Sequence, residues 1–94
     1  MSKHTQGDWY TKREGFSTVY VFCRISGGIV QEVAACGPTN EGQEQQEANA
    51  RLIASAPDLF GALANLLQLL PSGTTNPAIQ AARQAIAKAT GEQQ

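Results

Sequence analysis

The first half of the chain contains a stretch rich in β-branched and aromatic residues, Thr18-Val-Tyr-Val-Phe-Cys-Arg-Ile25. Such a composition favours a β-strand. The next residues, Ser26-Gly-Gly-Ile29, suit a two-residue turn because Gly27 and Gly28 tolerate positive φ. Ile29-Val-Gln-Glu-Val-Ala-Ala35 then has the composition of a returning strand. The stretch therefore predicts an antiparallel β-hairpin.

The turn also predicts a register for this hairpin. If Gly27-Gly28 is the loop, Ser26 pairs with Ile29 and paired residue numbers sum to 55. One face is then apolar apart from Glu32, and its other members are Val19, Val21, Cys23, Ile25, Val30, Ala34 and Cys36. The opposite face is mixed, with Tyr20, Phe22, Arg24, Ile29, Gln31, Val33 and Ala35. We expect the first face to form the core. The second is either covered by a helix or the N-terminal arm, or marks an interface or ligand site.

Trp9-Tyr10 predicts a short third strand, with residues 12–15 as its turn. After residue 37 the composition changes to Ala, Leu, Gln and Glu, as expected when helices follow strands in an α+β fold. Three helices are predicted, at residues 41–54, 57–70 and 77–90. Their predicted caps are Asn40, then Ser55 with Pro57 in the first turn, then Asn76 with Gly91 as the stop.

The sequence thus predicts a single α+β domain over residues 1–94. Its N-terminal part, residues 8–36, is expected to be a three-stranded antiparallel meander. Three α-helices are expected to follow.

Composition excludes several classes of function. The 94 residues include seven Lys and Arg against eight Asp and Glu, a balance that does not suit binding to nucleic acid through bulk phosphate neutralisation. No apolar stretch is long enough to span a membrane. The start of the chain has no secretory signal pattern. We therefore expect a cytoplasmic protein that binds neither membranes nor nucleic acid directly.

The residues that carry catalytic or metal chemistry are sparse. His4 is the only histidine and lies at the start of the chain, so a nucleophilic triad is not expected. Glu41, Glu44 and Glu47 share one side of a predicted helix start, where a solvated role is favoured over a metal site. Cys23 and Cys36 are expected to be reduced packing residues, because the predicted register separates them. The sequence predicts no catalytic residue, metal or cofactor.

Charge and aromatic residues suggest a binding site instead. Residues 1–40 carry four basic against three acidic residues, and residues 41–58 carry one basic against four acidic residues. Arginine beside aromatic rings suits a nucleotide, because rings stack on bases and guanidinium groups pair with phosphate. The same residue types also suit a protein interface, or a core with solvated charges around it. The candidate contacts are Trp9, Arg13, Tyr20, Arg24 and Arg51. The simplest role for Arg51 is an ion pair with Glu47, four residues earlier.

Three segments resemble a group of small phage and prophage accessory proteins. His4-Thr-Gln-Gly-Asp-Trp9 is similar to a recurrent His-Thr-Pro-Gly-Pro-Trp opening, with Gln6 and Asp8 in place of its two prolines. Glu47-Ala-Asn-Ala-Arg-Leu-Ile-Ala-Ser-Ala-Pro-Asp-Leu59 is similar to Glu-Ala-Asn-Ala-Arg-Leu-Ile-Ala-Ala-Ala-Pro-Glu-Leu. The ending Ala85-Ile-Ala-Lys-Ala-Thr-Gly91 also recurs in that group. The resemblance implies a cytoplasmic protein of the infected bacterial cell.

Small phage proteins of this kind often block host immunity, either as sponges for a nucleotide-derived signal or by binding a defence protein directly, as anti-CRISPR proteins do. We therefore expect a non-catalytic anti-defence protein that sequesters a small nucleotide signal. A chain of 10.0 kDa encloses such a ligand most easily between copies, so a homo-oligomer, a dimer or larger, is expected. The alternatives are a protein-binding inhibitor of a host defence complex and, less favoured, an enzyme that degrades the signal.

Overall fold

The computed structural model describes residues 3–92, so residues 1–2 and 93–94 of the predicted domain lie outside it. Three strands come first: β1 (Asp8–Glu14), β2 (Thr18–Arg24) and β3 (Val30–Cys36). They are followed by helices α1 (Gln43–Gln68) and α2 (Pro77–Thr90). The predicted α+β order with an N-terminal meander is confirmed. The prediction of three helices is wrong, since the described residues form two. The chain divides into two compact units, His4–Pro57 and a second that begins at Asp58.

The strands form an antiparallel sheet in the order β1-β2-β3. A turn of 3₁₀ helix, Ser26–Gly28, joins β2 to β3, with φ of 82° at Gly27 and 79° at Gly28. The amide of Ile25 donates to the carbonyl oxygen of Ile29 at 2.9 Å and closes the turn. β1 is longer than predicted, because it continues through residues 12–14 and turns at residues 15–17.

The predicted register of the hairpin is correct for only half of its length. Val19 to Val21 pair with Cys36 to Ala34 as predicted, but the register then shifts by one residue between Val21 and Phe22. This β-bulge places Glu32 opposite Phe22 and Val30 opposite Arg24. The assignment of Glu32 and Val30 to the core face is therefore wrong. The physical reason is that the extra residue, Val33, packs against the core while the charge of Glu32 stays exposed.

The core of the first unit lies between α1 and one face of the sheet, which we call the inner face. Val19, Val21 and Ala50 are buried together. The half-buried residues around them are Trp9, Val33, Ala34, Cys36, Ile53 and Ala54. Cys23 is buried and Cys36 half-buried, both as free thiols. This apolar core is small, and a polar side chain of α1, Gln46, also contacts the sheet.

Helix α1 replaces the first two predicted helices. It begins at Gln43 rather than residue 41, and the side-chain oxygen of Thr39 accepts from the amide of Glu41 just before it at 3.2 Å. Pro57 lies inside the helix and does not end it. Its missing N–H removes one intrahelical hydrogen bond. The Ser55 and Asp58 pattern therefore does not start a new helix, because the helix is already formed before Ser55 and continues through Pro57 to Gln68.

The second unit contains the end of α1 and helix α2. As predicted, Asn76 caps α2, and its side-chain oxygen accepts from the amide of Ala78 at 2.8 Å. Gly91 ends the helix in the left-handed conformation, with φ of 80°. The Arg83 side chain donates to the carbonyl oxygens of Thr74 and Pro71 in the preceding loop, at 3.1 and 3.2 Å. These contacts fix the loop to the helix that follows it.

None of the helices within residues 3–92 combines the length and the apolar character needed to cross a membrane.

Candidate functional site

The sheet register separates the predicted contact residues onto different surfaces. Tyr20 and Arg24 lie on the face of the sheet opposite α1, which we call the outer face, whereas Trp9 and Arg13 lie on the inner face. Arg51 is exposed on α1. The five residues therefore do not form one cluster.

Arg13 connects the sheet to α1. Its Nε donates to Oε2 of Glu47 at 2.8 Å, and its Nη2 donates to Oε1 of Gln46 at 2.9 Å. Glu47 thus pairs with Arg13 across the core, where the sequence suggested Arg51 as its partner. The fork of the guanidinium matches two acceptors on consecutive helix residues, which a lysine cannot reproduce. A ligand contact by Arg13 stays a prediction, and its guanidinium has a structural role.

Gln46 completes this contact from inside the core. Its side chain is 1% exposed, and its Nε2 donates to the carbonyl oxygens of Ser17 and Cys36 at 2.9 and 2.8 Å. Ser17 precedes β2, and Cys36 is the last residue of β3. One amide therefore joins α1 to the ends of two strands while it accepts from Arg13. We call Arg13, Gln46 and Glu47 the polar clamp.

We predict a measurable coupling between Arg13 and Glu47. Their side chains are partly exposed, so solvent screening limits the pair to about 0.5–1.5 kcal/mol of coupling energy. A double-mutant cycle with Arg13→Met and Glu47→Gln, read by urea unfolding, measures it. The control cycle uses Lys12 and Glu14, an exposed pair on β1 with 3.3 Å between charged atoms, for which we expect less coupling. Equal coupling energies in the two cycles would show that the Arg13–Glu47 pair stabilises the fold no more than an exposed ion pair does.

Trp9 fixes the N-terminal segment to the sheet. Its indole Nε1 donates to the carbonyl oxygen of Thr5 at 3.0 Å, and its ring contacts the His4 ring edge-on at 6.1 Å between centroids. The ring also packs against the core. The His4–Trp9 opening therefore folds back on itself, which gives Trp9 a structural role; ligand binding by Trp9 stays a prediction.

The outer face carries a continuous row of aromatic rings. The rings of Tyr20 and Phe22 stack with 5.4 Å between centroids and 16° between planes. Tyr10 lies opposite Phe22 on β1, with 5.9 Å between ring centroids. The Arg24 guanidinium lies over the Tyr10 ring, 4.6 Å from its centroid. We call Tyr10, Tyr20, Phe22 and Arg24 the aromatic platform.

Sequence reasoning chose Tyr20 and Arg24 but not Tyr10 and Phe22. The sequence could have predicted Phe22 as a member of this site, because alternate residues of a strand share a face and Phe22 lies between the two chosen residues. The place of Tyr10 beside Phe22 could not be predicted, because it depends on the register of β1, and the turn predicted at residues 12–15 lies at residues 15–17 instead. The structure brings two of the predicted contacts together with two aromatic rings.

The charges around the platform are mixed. Arg24 pairs with Asp8 at 3.1 Å, and Lys12 lies opposite Tyr20 on the same face. Glu32 lies opposite Phe22. Acidic and basic side chains thus both border the rings, and neither sign of charge dominates this face. A single phosphate can still replace Asp8 at Arg24, because an exposed ion pair contributes little free energy.

The platform and the clamp lie in a chain whose sequence matches a known phage family. The match covers residues 1–93, and the family is described as Salmonella phage P22 protein Y8K6. The chain belongs to this family. This membership confirms the resemblance to small phage proteins, at the level of the family and not of its individual motifs. No curated protein and no solved structure matches the chain.

Proposed function

We propose that this phage protein blocks host antiviral immunity by binding and sequestering a nucleotide-derived immune signal at the aromatic platform. The observation that carries the proposal is the stacked pair of Tyr20 and Phe22 with the Arg24 guanidinium on the same face. Aromatic rings on an antiparallel sheet are a general means of stacking nucleobases. The phage family supplies the biological setting.

The proposed binding mode divides the ligand between two chemistries. A base stacks on the ring surface of Tyr20 and Phe22, and a phosphate accepts hydrogen bonds from Arg24 in place of Asp8. Stacking on an aromatic side chain contributes about 1–3 kcal/mol per base, and it does not depend on the identity of the base. The acidic border formed by Asp8 and Glu32 favours a small nucleotide over a long nucleic acid.

Binding without turnover is part of the proposal, as is action in the cytoplasm of the infected bacterium. An open sheet face covers only one side of a ligand. Full enclosure therefore requires a second copy of the chain, and a homo-oligomer is the proposed form of the sponge.

Calorimetry with cyclic dinucleotides and cyclic ADP-ribose isomers tests the proposal. We expect saturable binding of at least one of these ligands and recovery of the ligand intact afterwards. Absence of heat with all of them, from folded protein, would contradict the proposal. Ligand conversion would indicate an enzyme instead.

Two substitutions test the location of the site. We expect Tyr20→Ala and Arg24→Gln each to weaken the binding about five-fold or more, because each removes roughly 1–3 kcal/mol of stacking or charge-assisted hydrogen bonding. Lys88→Gln is the matched control, since it removes one exposed positive charge on α2. If Lys88→Gln weakens binding as much as Arg24→Gln does, general electrostatic attraction and not the platform explains the affinity.

A protein-binding inhibitor of a host defence complex is the second candidate. Tyr and Arg dominate protein interface hot spots, and the mixed charges around the platform suit a protein surface as well. In that case the protein forms a stable complex with a defence protein on gel filtration, Tyr20→Ala abolishes this complex, and no nucleotide competes with it.

A further inference from the structure

The β-bulge between β2 and β3 places a carboxylate on the outer face of the sheet, beside the aromatic platform. Strict alternation from the pair of Val21 and Ala34 would put Glu32 on the inner face, but the register shift pairs it with Phe22 and leaves it exposed. The extra residue, Val33, packs against the core instead. β-bulges are frequent next to active sites, where they redirect a side chain. The bulge thus adds Glu32 to the surroundings of the rings.

Glu32 differs from the other carboxylates of the outer face because it has no partner. Asp8 pairs with Arg24 at 3.1 Å, and Glu14 pairs with Lys12 at 3.3 Å. Within the described part of the chain, the Glu32 side chain makes no hydrogen bond and no ion pair. Both of its carboxylate oxygens are therefore available to accept hydrogen bonds from a ligand.

Glu32 and the Arg24 guanidinium lie on opposite sides of the Phe22 ring. One row across the sheet runs from Tyr10 on β1 through Phe22 on β2 to Glu32 on β3. The Arg24 guanidinium is directed toward β1, because it lies over the Tyr10 ring and pairs with Asp8. Neighbouring strands are roughly 4.8 Å apart, so β1 and β3 are separated by about 10 Å. The outer face therefore offers a cation on one side of the ring and an unpaired carboxylate on the other.

This arrangement distinguishes between bases by their hydrogen-bonding edges. Guanine presents two adjacent donors, N1–H and the N2 amino group, which match the two oxygens of one carboxylate. Adenine presents an acceptor, N1, beside its N6 amino group, so a carboxylate receives one donor and faces one lone pair. In a purine nucleotide, the ribose and phosphate extend from the other side of the base. A guanine stacked on Phe22 can therefore direct its donors to Glu32 and its phosphate to Arg24.

We propose that Glu32 makes the aromatic platform selective for guanine nucleotides, by accepting hydrogen bonds from N1–H and the N2 amino group of a base stacked on Phe22. The inference rests on the proposed function and adds the class of base to it. All the residues involved belong to one compact unit, His4–Pro57. Glu32 determines specificity and not general affinity, because its charge repels the phosphates of every nucleotide alike.

Calorimetry with cyclic di-GMP and cyclic di-AMP tests the selectivity, because these ligands carry the same phosphates and differ only in their bases. We expect the wild type to bind cyclic di-GMP about five-fold or more tightly than cyclic di-AMP, since a good bidentate pair discriminates between bases by at least about that factor. Equal affinity for the two ligands, or a preference for cyclic di-AMP, would overturn the inference.

The variant Glu32→Gln tests the carboxylate through the direction of the change. We expect cyclic di-GMP to bind about five-fold or more weakly than to the wild type, because an amide places a donor against one of the guanine donors. Cyclic di-AMP should bind as tightly as before or more tightly. Loss of a repulsive charge alone would instead tighten the binding of both ligands, and that result would overturn the inference.

Glu14→Gln is the matched control, since it removes an exposed carboxylate of the same face that pairs with Lys12. We expect it to leave the ratio of the two affinities unchanged. Because Glu32 and Glu14 are both exposed, far-ultraviolet circular dichroism should show that both variants stay folded. An equal loss of guanine preference in the two variants would mean that the charge of the face, and not Glu32, sets the preference.

The outcomes also separate this inference from the proposed function. Binding of both cyclic dinucleotides without a guanine preference, or binding of cyclic ADP-ribose isomers alone, would overturn the inference and leave the proposed function in place. Absence of binding with all of these ligands, from folded protein, would overturn both.

Discussion

Gln46→Ala is expected to lower the free energy of unfolding by about 3–5 kcal/mol. The substitution leaves the carbonyl oxygens of Ser17 and Cys36 without the amide that now donates to them at 2.9 and 2.8 Å. It also removes the acceptor for Nη2 of Arg13 and opens a cavity at a site that is 1% exposed. Stability in a domain of this size is about 5–15 kcal/mol in total, so the loss is a large part of it. Urea unfolding followed by circular dichroism measures the effect.

Two variants separate the causes of this effect. Gln46→Met keeps most of the side-chain volume but no hydrogen bond, and we expect it to lose most of the same free energy. Gln45→Ala is the matched control, since Gln45 is the exposed neighbour on the same helix turn. We expect it to change stability by less than about 0.5 kcal/mol. Near wild-type stability of Gln46→Met would mean that the clamp contributes through volume alone.

Gly7→Ala is expected to destabilise the protein by about 2–4 kcal/mol and to expose Cys23. A Cβ at residue 7 would lie 2.5 Å from the carbonyl oxygen of Arg24 and 2.8 Å from Sγ of Cys23. The backbone also has φ of 143° there, which L-residues rarely adopt. The opening segment must therefore move away from β2, which removes the 3.6 Å contact of the Cys23 thiol with the carbonyl oxygen of Gln6.

Two measurements check this result. Urea unfolding gives the loss of stability, and the rate of reaction with a thiol reagent reports access to Cys23, which has no exposed surface in the wild type. Gly37→Ala is the control, because a Cβ there meets no atom within 4 Å. We expect its stability to be unchanged or higher by up to about 1 kcal/mol. Unchanged thiol reactivity in Gly7→Ala would contradict the close packing of the opening segment.

The local parts of the fold were predictable because local chemistry fixes them. Gly27 and Gly28 marked the position of the turn between β2 and β3, although this turn spans three residues, Ser26–Gly28, and not the predicted two. Asn76 and Gly91 marked the ends of α2. Pro57 misled the prediction, since proline is common at a helix start and its cost inside a helix depends on the context. The rule that residues of a strand alternate between faces could not predict the bulge at Val33. The bulge lets Val33 pack against the core while Glu32 stays exposed, and strict alternation would have placed Glu32 on the core face.

The site was harder to predict than the fold because it depends on contacts between distant residues. Arg13 looked like a ligand contact by residue type, and its real partners, Gln46 and Glu47, are more than thirty residues away in the sequence. Nothing in the sequence indicates that Gln46 is buried, since glutamine is common on exposed helix surfaces. Tyr20 and Arg24 were chosen by residue type, like the other candidates, and they lie on one face because alternate residues of a strand point to the same side.

Chemical-shift mapping shows residue by residue whether the aromatic platform binds a nucleotide signal, as we propose. Isotope-labelled protein is titrated with cyclic dinucleotides and cyclic ADP-ribose isomers, and backbone amide and aromatic ring signals are followed. With at least one of these ligands, we predict saturable shifts concentrated on Tyr10, Tyr20, Phe22 and Arg24, with little change at Gln46. Absence of shifts with every ligand, or shifts concentrated away from the outer face, would contradict the claim.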